Sequence, residues 1–412
     1  MSRKMTMGLS MFLATMAISV SHAADGQANA KNELAPVDAY DYVLGTQTFS
    51  PKYHFTDKNR LVETAEAIRD MGSNTIKCHL GVKVYSKGMY DLPNKPEHST
   101  MKKTLDTDPS FRAVLRMPFA YYLFWAYPHA AGDAHEWHDG LSADEAQYEY
   151  DEMHELACYL LQEFNHSKKT FLLGHWEGDW ALLGGFDKNK EPDPTAIQGM
   201  IDWLSVRQKA IDDAKREVSH EGVDVFHYTE VNLVRKAIAG GRTVANDVLP
   251  KTTVDYVSYS SYDSLELDEG PDAMQARLRE SLGYIESKLP PKDIRGKRVF
   301  IGEYGFALHR MKTAEAQNNA ARLVAETALE WGCPFALYWQ MYDNEAEEGG
   351  ANAKGYWMID NTGEKQPVYF THKRFLSRAR EFVADYRMRQ GADPSPETYR
   401  AAGVNWLRDS QP

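Results

Sequence analysis

Short runs of β-branched and aromatic residues alternate along this chain with longer stretches whose apolar side chains recur every three or four positions, the two periods that mark strand and helix. Residues 42–48, 74–79, 119–127, 170–175, 223–230, 254–260, 299–303 and 334–340 are predicted strands. Helical patterns fill the intervals. Thr56 is expected to cap one whose Leu61, Ala65 and Ile68 share a face before Gly72 stops it. Asp193-Pro194 opens another, striped by Ile197, Ile201, Leu204 and Ile211, and Met274, Leu278, Leu282, Ile285 and Leu289 mark a third. Further helices are expected at 109–116, 142–165, 232–239, 313–331 and 367–389. Eight strand–helix units, with no internal repeat and no second cluster of different periodicity, predict a single α/β domain over residues 41–412, a (β/α)8 TIM barrel with extended βα loops. An open doubly wound sheet is the alternative. Long insertions after strands 2, 3 and 8 favour the barrel, which grows by extending loops on its catalytic face.

Two of these strands deliver a glutamate. In 170–180 Phe171, Leu173 and His175 alternate up to Glu177, and in 297–306 Val299, Ile301 and Glu303 share a face. The two-residue period is expected to send the apolar side chains into the barrel and set each glutamate at the rim, where Gly302 and Gly305 keep Glu303 accessible. Carboxyl ends of strands are where barrel active sites are built. One protonated and one ionised carboxyl there would suit hydrolysis of a glycosidic bond.

The first residues do not belong to this pattern. Arg3 and Lys4, an apolar run over 8–20 and Ser21-His22-Ala23 have the layout of a cleavable signal peptide at 1–23, which places the mature protein in the periplasm or outside the cell, with no membrane insertion after cleavage. An uncleaved anchor is the alternative. Residues 24–40 are polar and aperiodic, and are expected to be a flexible lead-in. Two of the 47 Lys and Arg lie in 1–23, so the mature chain carries 45 bases against 59 acids, a net charge of −14. That excludes nucleic acid and anionic membrane surfaces as natural partners and is compatible with a neutral glycan. Three cysteines, Cys78, Cys158 and Cys333, allow at most one disulfide and show no metal-ligand spacing; no cofactor motif is present, and the oligomeric state is open.

Trp-Glu177-Gly after strand 4, Tyr259 or Tyr262 after strand 6, Gly-Glu303-Tyr-Gly after strand 7 and Tyr-Trp339 on strand 8 resemble the clan of retaining (β/α)8 glycoside hydrolases that includes the family 5 cellulases and mannanases. The resemblance spans most of the mature chain. It implies that Glu177 is the acid/base, Glu303 the nucleophile, Tyr259 or Tyr262 the hydrogen-bond partner of that nucleophile, and Trp339 a sugar platform. The substrate class implied is a β-linked oligo- or polysaccharide. One position departs from the clan: Trp176 stands where an asparagine usually contacts the sugar 2-hydroxyl, leaving Asp179, His175 and Asn232 as substitutes. Glu230, at the end of strand 5, is a rival acid/base.

Trp125, Tyr127, Trp137, Trp176, Trp180, Trp339, Tyr342, Tyr356 and Trp357 fall at or beyond strand ends, where flat rings could stack on sugars. His129, Asp133, His135, Glu136, His138 and Asp139 share one loop and raise a second possibility, a metal-dependent hydrolase, although their spacing fits no metal motif. A third is a glycan-binding barrel without turnover.

Overall fold

The computed structural model describes residues 36–92, 99–129 and 136–409. The expected signal peptide and the lead-in as far as residue 35 lie outside the described residues. Eight parallel strands close into a barrel in sequence order: β1 (Leu44–Thr48), β2 (Thr75–Leu80), β3 (Tyr121–Ala126), β4 (Lys169–Gly174), β5 (Val223–Val231), β6 (Tyr256–Ser260), β7 (Val299–Tyr304) and β8 (Ala336–Tyr338), with β8 pairing back onto β1. This is the (β/α)8 architecture that the alternating periods predict.

Local chemistry sets the helices between them. The helix Arg60–Met71 begins at Asn59, whose side chain accepts from Val62 N, whereas Thr56, the expected cap, bonds to the Glu63 carboxylate instead. Ser142 and Glu145 form a reciprocal capping box ahead of Ala143–Glu163, and Asp193 caps Pro194–Glu217. The connection after β2 carries short helices at Lys83–Ser86 and Met101–Thr107, and a terminal helix, Pro396–Arg408, follows Pro367–Gln390; the apolar pattern reveals none of these three. Residues 36–40, the described end of the lead-in, are tied down by Asn74 Nδ2, which donates to Asp38 O and Tyr40 O.

Apolar side chains fall into two layers. One packs between barrel and helices, and the other fills the barrel itself with Phe49, Leu123, Trp125, Leu172, Tyr228, Phe300, Phe335, Leu337 and Trp339. The face assigned from the sequence is therefore reversed on both glutamate strands. Phe171, Leu173, Val299 and Ile301 belong to the outer layer, while Leu172 and Phe300 point inward. A parallel strand buried on both faces is apolar throughout, so alternation cannot say which face is inside. Glu303 reaches the interior because the register of β7 breaks: Tyr259 pairs with Ile301 but Ser260 pairs with Glu303, one residue too far.

Close packing inside the barrel needs small residues at fixed places. A Cβ on Gly174 would lie 2.4–2.5 Å from the Tyr228 ring. Gly174→Ala is expected to lower stability by about 1–3 kcal/mol through overpacking. Gly283→Ala, in the exposed body of the helix Pro271–Ser287 with nothing within 4 Å of the new methyl, should raise it by about 0.5–1 kcal/mol. Urea unfolding midpoints of the two variants check this contrast.

Candidate active site

Towards the carboxyl end the barrel lining changes from aromatic to charged. Phe226 and Tyr228 on β5 are followed inward by Glu230, Tyr256 on β6 by Ser258 and Ser260, and Thr75 on β2 by Lys77 and His79. Lys77 Nζ donates to Glu230 Oε2 at 2.8 Å and to Gly302 O at 3.2 Å, and lies 3.7 Å from Glu303 Oε1. Glu230 Oε2 also accepts from Ser258 Oγ at 2.6 Å, while its Oε1 accepts the main-chain N–H of Glu177 at 3.0 Å. Both oxygens of this fully buried carboxylate are therefore occupied.

Glu177 and Glu303 meet at one hydroxyl. Ser260 Oγ donates to Glu177 Oε1 at 2.6 Å and stands 3.5 Å from Glu303 Oε2, so these two carboxylate oxygens can be no farther apart than the sum of those distances, about 6 Å. Glu303 is 2 % exposed, and its Oε1 accepts no hydrogen bond. Burial raises both carboxyls: Glu177 to about 8, with smaller contributions from the charges of Glu230 and Asp179 and opposed by the Ser260 hydrogen bond, and Glu303 well above the ordinary range, with smaller contributions from Glu230 and Glu177 and opposed by Lys77. Lys77, whose ammonium stands 3.7 Å from Glu303 Oε1, opposes the rise on both groups.

Aromatic rings run outward from this floor. Trp339 stacks on Phe49 at 5.5 Å and lies 6.1 Å from Trp125, which is 6.3 Å from Trp176. Trp176 is in turn 6.2 Å from Phe186, and Phe186 is 5.8 Å from Trp180. Phe186 is 74 % exposed, so the series ends at the solvent face. Beside the end of β7, Tyr262, Gly305, Phe306, Arg310, Met311 and Tyr356 line a cavity of about 480 Å3.

Several expected site residues lie elsewhere. Tyr259 points away from the mouth; its hydroxyl bonds to Asp263 and, at 2.7 Å, to Ser264. Tyr262 is the tyrosine beside the carboxyls, and burial together with their charge holds its phenol well above the ordinary range. His175 turns outward, its Nε2 2.6 Å from Thr229 Oγ1 and its ring 5.1 Å from Trp203, because the strand face is the reverse of the one expected. Asp179 and Asn232 bond to each other's main chain at 3.0 and 2.9 Å and are buried. Glu230 reaches the site, but from beneath its floor. Trp137, Tyr342 and Trp357 belong to the outer core, Trp137 stacking on Trp203 at 5.8 Å. In the histidine loop, His129 Nε2 lies 3.2 Å from Thr104 Oγ1 and His138 Nε2 2.8 Å from Ala181 O; Asp133 and His135 lie outside the described residues.

Lys77, Ser258 and Ser260 are the functional side chains that sequence reasoning missed. The available signal was the lysine itself, a charge in the middle of the strand Thr-Ile-Lys77-Cys-His, where a barrel strand is normally apolar on both faces.

No protein-family profile matches the sequence, and no curated protein matches it. Solved structures do share its fold. A GH5_18 variant from Bifidobacterium longum subsp. longum, in complex with Manβ1-4GlcNAc, has a TM-score of 0.55 at 13% identity over 89% of each chain. GH5_18 from Streptomyces cattleya, in complex with GlcNAc, has a TM-score of 0.54 at 11% identity over 90% of this chain and 81% of that one. The chain spans 64% of the length of a family 39 glycoside hydrolase from Bacteroides cellulosilyticus, with 82% of this chain covered at 13% identity and a TM-score of 0.48. At these identities the likeness is one of fold.

The hydroxyl between the carboxyls has a measurable effect. A hydrogen bond to the charged form of an acid favours that form, so its loss must raise the acid's midpoint. Ser260→Ala is expected to move the Glu177 titration upward from about 8, read from the side-chain carboxyl 13C resonance assigned by its loss in Glu177→Gln. An unchanged or lowered midpoint would contradict the contact.

Proposed function

We propose that this protein is a glycoside hydrolase that cleaves a β-linked oligo- or polysaccharide with retention of configuration. The observation that carries the reading is the carboxyl pair at the barrel mouth: Glu177, just after β4, and Glu303, on β7, have oxygens within about 6 Å of each other across Ser260, and the Lys77 ammonium stands beside Glu303. Retaining enzymes hold their carboxyls about 5–5.5 Å apart, and inverting enzymes about 6.5–9.5 Å apart so that a water fits between. The bound on this pair fits the first class.

In this mechanism the Glu303 carboxylate attacks the anomeric carbon, and the departing oxygen takes the proton of Glu177. A covalent glycosyl ester forms. Glu177, now ionised, removes a proton from water as that water attacks the same carbon, and Glu303 leaves as carboxylate. Glu177 must begin protonated, and its midpoint of about 8 is the rise that this role requires. The rings of Trp339, Trp125 and Trp176 supply faces for stacked sugars, and Phe186 and Trp180 extend that surface beyond a single residue. Two barrels of similar fold hold Manβ1-4GlcNAc and GlcNAc, which supports a carbohydrate as the ligand of this face. The signal peptide expected from the sequence puts the activity in the periplasm or outside the cell.

Screening the protein on a panel of aryl β-glycosides and oligosaccharides, then comparing two variants, tests the roles. Glu303→Gln should abolish turnover while leaving the unfolding midpoint close to that of the parent. Glu177→Ala should lose about 10²–10⁴-fold in turnover on natural leaving groups, yet recover with added azide on an activated aryl glycoside and release a β-glycosyl azide. Near-normal turnover by Glu303→Gln, or rescue that yields the α-azide, would overturn the assignment.

A further inference from the structure

The mechanism uses two carboxyls, but the barrel interior holds three. Glu230 lies beneath the other two with no exposed surface, and two of its side-chain contacts lead to the reacting groups. Its Oε1 takes the N–H of Glu177 at 3.0 Å, at a residue whose main chain is held at φ 21° and ψ 75°, in the sparsely populated positive-φ region. Its Oε2 takes Lys77 Nζ at 2.8 Å and Ser258 Oγ at 2.6 Å, and Lys77 in turn stands 3.7 Å from Glu303 Oε1. Lys77 also donates to Gly302 O, so it is anchored to the strand that carries Glu303.

We propose that Glu230 is a positioning residue, which fixes the Glu177 main chain through one oxygen and holds the Lys77 ammonium against Glu303 through the other. This deepens the glycoside hydrolase reading and rests on it for its catalytic consequence. Glu230 exchanges no proton with substrate, because both its oxygens are occupied and the floor covers it. Its part is to set charge. Lys77 has two acidic neighbours and is divided between them. Withdraw the charge of Glu230, and the ammonium acts on Glu303 and Glu177 alone; withdraw Lys77, and three acids face one another without a cation. The groups that bear on the Glu177 and Glu303 titrations are Lys77 from β2, Glu230 from β5, Tyr262 after β6 and Asp179 on the helix Gly178–Leu183, in addition to each other.

Opposite movements in two variants distinguish this role from mere packing. With glutamate carboxyls 13C-labelled, the Glu177 and Glu303 midpoints should both fall in Glu230→Gln, Glu177 by about one pH unit or more from about 8. Both should rise in Lys77→Met. On any glycoside the parent enzyme turns over, Glu230→Gln should lower kcat by about 100-fold with KM changed only a few-fold, since no substrate contact is lost. If Glu230→Gln does not fold, Lys77→Met still supplies the sign. Midpoints that stay in place in the folded variants, or azide rescue of Glu230→Ala, would overturn the proposal, the latter by making Glu230 the acid/base. If the midpoints move as stated and the parent cleaves no glycoside in the panel, the functional reading fails while the positioning role stands.

Discussion

Among the described residues three carboxyl groups and one ammonium, Glu177, Glu230, Glu303 and Lys77, meet inside this barrel, and the residues around them are arranged to keep them there. Taking an ion out of water costs several kcal/mol even after relaxation, so a buried carboxylate survives only where hydrogen bonds and a counter-charge replace the lost solvent. Glu230 has all of these: a lysine, a serine hydroxyl and a main-chain N–H. The backbone makes room for them. A Cβ on Gly302 would fall 1.7 Å from Ser258 Oγ and 3.1 Å from Glu230 Oε2, so only glycine leaves space for the pair at that point of β7.

Glu303 is less well satisfied, and that difference is what the site can use. Its Oε1 accepts no hydrogen bond and faces an ammonium shared with another acid. In the proposed mechanism little has to be broken before that carboxylate attacks. Glu177, buried and with no cation within ion-pair distance among the described residues, keeps its proton to a higher pH than an exposed glutamate would, although the Ser260 hydroxyl bonds to its Oε1. Two identical side chains thus meet different surroundings. The aromatic rings from Trp339 to Phe186 then supply the apolar faces along which a carbohydrate can lie.

The fold was legible in the sequence because eight strand–helix alternations leave few other architectures, and because the caps and stripes of the long helices are local signals. The two carboxyls were legible as strand endings. What could not be read was the inside of the barrel. With both faces of each strand apolar, Val299 and Ile301 looked inward when they point out, and the register break that turns Glu303 back into the barrel depends on the neighbouring strand. The same reversal sent His175 away from the mouth, and on β6 Tyr259 points outward while Ser258 and Ser260 point in. Lys77 and Glu230 are 153 residues apart in sequence, and their pairing exists only once β2 and β5 face one another across the closed barrel.

The central claim is that Glu303 forms a covalent bond to sugar while Glu230 and Glu177 do not. Incubation with 2-deoxy-2-fluoro-β-glycosyl fluorides of glucose, mannose and galactose, followed by intact mass measurement and peptide mapping, tests it directly. The 2-fluorine slows both formation and hydrolysis of the ester, and the activated anomeric fluoride keeps formation the faster step, so the intermediate accumulates. The expected result is one added fluorosugar on the peptide that carries Glu303, and none in Glu303→Gln. A label on Glu177 or Glu230, or steady turnover of the parent glycoside with no label from its fluorinated analogue, would contradict it.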